Sequence, residues 1–141
     1  MAPDQPDGFA RDQLTALRNG LLRLHKVALD SERAVFEHEI ERIHSSGQFL
    51  ELVLHDPFFF WLHELSELIV LIDETLDAPE TFAVADAERL KKQARALLVP
   101  SEGAKGFAGR YFEALQRDPA VVLAHGQMMR VFAALEPDAR A

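Results

Sequence analysis

His25, Glu32 and Glu39 stand at intervals of seven inside a segment whose apolar residues recur at helical spacing. Leu14, Leu17, Leu21, Leu22, Leu24, Ala28, Leu29, Val35, Phe36, Ile40 and Ile43 collect on one side of a helix at about 100° per residue. The three ionisable residues lie near the middle of that side. A charge aimed at a core is costly unless it is paired or coordinated, so each of the three calls for a partner. Seven residues of helix rise by roughly 10.5 Å, whereas a metal holds its ligands at about 2 Å. The three therefore cannot share an ion from one helix. His125, beside Val121, Met128, Met129 and Phe132, is the other inward histidine. A cluster of His25, Glu32 and His125 completed across helices would be a metal site, and its carboxylates would favour iron or manganese over copper, with zinc also possible. The competing expectation, and the preferred one, pairs the carboxylates with arginines such as Arg18 or Arg110 and bonds the histidines to backbone. Buried pairs of that kind set register more than stability.

Other spacings offer less. Glu41-Arg-Ile-His44 has the carboxylate–histidine interval of ferritin-like di-iron bundles, and His63 and Glu67 resemble half of a hemerythrin-type pair. Both pairs project away from the apolar faces of their helices, which reads as exposed polar surface. Met128 or Met129 with His25 or His125 could form an axial haem pair, but no Cys-x-x-Cys-His attachment site exists, and Met beside Phe at helical spacing is core material. Gly103-Ala-Lys-Gly106-Phe-Ala-Gly109 is glycine-rich ahead of a helix, yet it lacks the Walker spacing and follows no strand. No serine lies in a recognisable nucleophile elbow.

The elements that must position these residues are helices. A loose arm is expected over 1–8, a bundle domain over 9–136 and a tail over 137–141. A long helix runs from about Ala10 to Ser45, with a possible break at Asn19-Gly20, and Ser45-Ser46-Gly47 ends it. A short helix covers Gln48 to His55. Asp56-Pro57 and Asp118-Pro119 each place an N-cap aspartate before a first-turn proline, opening helices to about Leu76 and Leu135. Ala83 to Leu98 and Phe107 to Gln116 supply two more, with Tyr111 inward. No segment alternates with period two for long. The expected fold is all-α, a single-domain bundle of five or six helices.

Phe58-Phe59-Phe60-Trp61 cannot all face one core. With Phe58 and Trp61 inward, Phe59 and Phe60 lean outward near Val70, a grouping that suits either a covering helix of the same chain or a partner surface, and, if exposed, a two-fold homodimer.

The 141 residues suffice for one domain, and 48% hydrophobic with 27% charged residues is a globular balance. A formal net charge of −8 disfavours nucleic acid and an anionic membrane surface. Without cysteine there is no disulfide, zinc-thiolate site or thiolate nucleophile. The polar, acidic N-terminus lacks a signal-peptide core, and no stretch is apolar enough to span a bilayer, so a cytoplasmic location is expected.

The strings LLRLHKVALDSER, LHDPFFFWLHELSELIVLIDETLD and PSEGAKGFAGRYFEALQRDPAVVLAHG resemble a family of small bacterial all-helical proteins with no assigned activity. The resemblance spans about Leu14 to His125 and implies a bacterial, cytoplasmic helical protein; it carries no catalytic role. The sequence thus leads to a non-enzymatic interaction or structural module that self-associates or binds a protein partner and needs no cofactor. The runner-up is a metal-binding bundle, hemerythrin-like or ferritin-like in architecture only, and a third reading is an enzyme without metal whose substrate the sequence does not name.

Overall fold

The computed structural model describes residues 6–136. Among them are six α-helices, two short 3-10 segments and no strand. The α-helices are α1 (Pro6–Glu39), α2 (Ser46–His55), α3 (His63–Leu76), α4 (Val84–Leu97), α5 (Phe107–Arg117) and α6 (Pro119–Leu135). The chain is an all-α single-domain bundle. Pro6 to Gly8, expected in the loose arm, belong to α1; residues 1–5 and the expected tail 137–141 lie outside the described residues.

α1 is the spine. Its 34 residues extend about 50 Å, and α6, α3 and α4 pack along it. Leu14, Leu17, Leu21, Leu24 and Ala28 form its buried line, against Leu65, Ile72, Leu90, Tyr111 and Met128 from the other helices. Leu22 and Ile40, expected in the same line, lie on the surface. The helix does not break at Asn19-Gly20. Gly20 is buried, and a Cβ there would stand 2.9 Å from Met128 Sδ. Its bare Cα lets α6 approach α1, which fits a packing role for this glycine.

α1 ends at Glu39, several residues short of the expected Ser45. The Glu37 carboxylate accepts from the Ile43 N–H at 3.0 Å and bends the chain inward. Ser45 then starts α2: its hydroxyl accepts from the Gln48 N–H at 3.0 Å. Serine's preference for the N-cap outweighs the stop suggested by the following Ser46-Gly47.

Asp56-Pro57 starts a helix as expected, with the aspartate accepting from the Phe58 N–H at 2.9 Å. The first six residues, Pro57–Leu62, are 3-10 before α3 begins at His63. At three residues per turn, that segment invalidates a 3.6-residue projection of its aromatics. Phe59, expected outside, is therefore 0% exposed, packed with Phe36 and Ile43 in a second apolar cluster. Phe49 of α2 covers it at 5.8 Å, ring edge to face. Asp118 closes α5 and caps α6, accepting from the Ala120 N–H at 2.9 Å.

Candidate functional site: a buried carboxylate and a partnered histidine

Between the two apolar clusters α1 buries two polar side chains, Ser31 and Glu32. Ala28 belongs to the main core and Phe36 to the second cluster; Glu32, one turn from each, is 2% exposed. Its carboxylate is fully engaged. Oε2 accepts from Trp61 Nε1 at 3.1 Å and from an Arg110 guanidinium nitrogen at 3.1 Å. Oε1 accepts from the Arg117 guanidinium at 3.0 Å, and that guanidinium also reaches the Ser31 hydroxyl at 3.2 Å. Arg110 and Arg117 stand two turns apart on one face of α5, so one helix presents both cations. Trp61 arrives from the 3-10 segment. Three elements are joined through one anion, and each charge-assisted bond is stronger than a neutral one.

Of the arginines named from sequence, Arg110 does pair with Glu32; Arg18 instead binds Asp73 on α3 at 2.8 Å. Arg117 and the Trp61 indole were not foreseen. Their signal was present: an inward Trp needs an acceptor for its N–H, and an inward carboxylate needs donors.

Glu39 is not part of this cluster. It is the last residue of α1 and exposed, because the chain turns away after Phe36. His25 is half-buried on the α3 side of α1. Burial lowers its pKa, and the neighbouring His63 charge lowers it further. His63 Nε2 lies 2.8 Å from the Val53 carbonyl, which ties α2 to α3. His125 has a different partner again: the Tyr111 hydroxyl lies 2.6 Å from its Nδ1. Burial raises the Tyr111 phenol and lowers the His125 imidazole, so the contact joins two groups that burial holds in their neutral forms.

His25, Glu32, Glu39 and His125 are thus not one constellation. Among the described residues, no group of three or more His, Asp or Glu side chains is arranged to hold a metal ion. Glu41 and His44 fall beyond the end of α1, so their spacing carries no helix-face meaning. Comparison with family models, with curated proteins and with solved structures gives no match.

The glycine-rich stretch forms the loop into α5, with Gly103 and Gly106 both at φ 75°. A Cβ on Gly109 would run into the Ala104 carbonyl oxygen, so the loop folds directly over the first turn of α5. Beside it lies an open cleft of about 480 Å³ whose lining includes Glu64, Gln93, Lys105, Leu68, Leu97 and Phe107.

The surface residues named from sequence divide. Phe59 is core, as described above. Phe60 is 45% exposed, Val70 53% and its chain neighbour Leu71 40%. The Phe60 ring lies 5.1 Å from the His63 ring, placing it in line with the outward side of α3. None of the α-helices is long and apolar enough to cross a membrane.

Proposed function

We propose that this chain is a non-enzymatic interaction module that binds a protein partner through the outward face of α3. One observation carries the reading: Phe60, Val70 and Leu71 are exposed on the outward side of this segment, while their chain neighbours Phe59, Trp61, Ile69 and Ile72 are packed inside. Grouped apolar side chains on a surface cost solubility and commonly mark a contact site. The engaged state of the inward polar groups supports the same reading. A carboxylate holding three donors is poorly placed to act as a general base, and Tyr111 occupies the buried nitrogen of His125.

Self-association was the simplest expectation for such a face. A two-fold contact would set Glu67 and Glu74 of one copy against the same residues of the other, and like charges brought together oppose docking. A different surface on the partner removes that conflict.

The test is a photo-crosslinking residue introduced at position 70 or, as control, at the exposed position 102, in the cells that make the protein. The reading expects a discrete adduct from position 70 alone. An adduct of twice the chain mass would identify a second copy, and another mass a different protein. No adduct, or equal adducts from both positions, would overturn the reading.

A further inference from the structure

The charge of this protein is unevenly placed. Between Arg42 and Arg89 the chain carries ten Asp and Glu residues and no Lys or Arg, so this third of the sequence holds more than the whole formal surplus of −8. The structure gathers half of those carboxylates onto α3 and its end: Glu64, Glu67, Asp73, Glu74 and Asp77. Among the described residues only Asp73 of these five has an ion-pair partner, Arg18. Glu67 and Glu74 lie two turns apart, and Val70 stands between them on the same outward side. The exposed side of α3 therefore mixes apolar and acidic side chains, with Phe60 in the 3-10 segment that leads into it.

Resting on the interaction-module reading, we infer that the partner segment is a cationic amphipathic helix, seated along α3 with its apolar side on Phe60, Val70 and Leu71 and its Lys or Arg side chains beside Glu67 and Glu74. The apolar side chains supply the contact area. The carboxylates supply orientation, faster encounter and rejection of acidic partners. α2 borders the face, held by the contact between His63 and Val53. No cation of this chain lies in position to neutralise Glu67 or Glu74 among the described residues, so the complementary charge comes from outside. A second copy presenting the same face would bring the wrong sign.

The experiment uses the full chain and two fluorescent synthetic peptides of about 18 residues, roughly five helical turns. One pairs a leucine face with lysines, and the other replaces every lysine by glutamate. Binding is followed by anisotropy, and circular dichroism confirms that each variant is folded. The lysine peptide should bind, and its affinity should fall as salt rises from about 50 to about 300 mM. Glu67→Lys with Glu74→Lys should weaken it about ten-fold or more, a change of about 1.4 kcal/mol. The charge-matched control, Glu41→Lys with Glu102→Lys, should weaken it less than about three-fold, because those exposed carboxylates lie off α3. Val70→Ser should weaken it without altering net charge.

Equal losses in both double variants would reduce the effect to attraction between a polycation and an acidic protein, and would overturn the inference. A glutamate peptide that binds as well as the lysine peptide, and is lost in Val70→Ser, would overturn the cationic partner while leaving α3 as a contact face. A chain that sediments as a dimer, and as a monomer in Val70→Ser, would replace the cationic helix by a second copy. Binding of the lysine peptide that is indifferent to both Val70→Ser and Phe60→Ser would remove the face itself, and the interaction-module reading with it.

Discussion

Glu32 and Glu39 have the same side chain and stand two turns apart on one helix, yet they do opposite things. Glu32 is enclosed between two apolar clusters and holds Trp61, Arg110 and Arg117. Removing it leaves two cations and an indole N–H facing a cavity. Each arginine keeps about a third of its side-chain surface, 39% and 35%, so both would rehydrate in part. Glu32→Ala is therefore expected to cost about 2–3 kcal/mol, below the loss for a fully buried pair. Glu39→Ala, at an exposed helix end, should stay within about 0.5 kcal/mol. Urea midpoints read from Trp61 emission would check both, and equal effects would contradict the burial difference. The histidines allow a prediction with a sign. Burial lowers both His25 and His125 from the ordinary value near 6.5. As pH falls below about 6.5 the unfolded chain takes these protons before the folded one, so stability drops until the lowered folded values are passed. Melting temperature should fall between about pH 7 and about pH 5, and His125→Gln, which keeps a hydrogen-bonding side chain beside Tyr111 without a titrating ring, should shrink that fall. An undiminished fall in the variant would exclude His125 as a contributor. The sequence made the demand for partners visible but not the partners themselves, because Arg117 and Trp61 reach Glu32 only once α5 and the 3-10 segment are packed on α1.

At the scale of elements, start signals were legible and stops were not. Asp56 and Asp118 cap as their spacing to proline implies, since that chemistry is local. The end of α1 depends on the Glu37 side chain catching the Ile43 N–H, a contact formed only when the chain has already turned. Phe59 was misplaced because the period of its segment is three, and nothing in the composition of Pro57–Leu62 announces a 3-10 turn. Two glycines separate close approach to a side chain from close approach to backbone. At Gly20 an added methyl meets the flexible end of Met128, while alanine gains about 1 kcal/mol of helix propensity. Gly20→Ala should therefore change stability by no more than about 1 kcal/mol in either direction. At Gly109 the obstacle is the Ala104 carbonyl, which can move only if the loop over α5 moves. Gly109→Ala should cost about 2–3 kcal/mol, in the range of forced overpacking. Denaturation midpoints give the order directly, and a costlier Gly20→Ala would overturn this account of both contacts.

For the whole molecule, the surplus of negative charge is a load on the folded state. Carboxylates of α3 that have no cationic neighbour repel one another along about 20 Å of helix, and folding holds them closer than an expanded chain would. The summary charge of −8 hides this, because the remainder of the chain is close to balanced. Only the position of Arg42 and Arg89 in the sequence, read with the packing of α3, reveals a single-sign face. A face kept acidic against its own repulsion, with Val70 exposed at its centre, is better explained by a demand for contact than by a demand for stability. This makes a prediction opposite to that for an ordinary surface. Glu67→Lys with Glu74→Lys should raise the melting temperature at about 10 mM salt, and the gain should shrink towards zero as screening sets in at about 150 mM. The wild-type chain should itself melt higher at the greater ionic strength. Lower melting of the double variant at low salt would mean that these two carboxylates stabilise the fold, and would remove the reason for placing a cationic partner on α3.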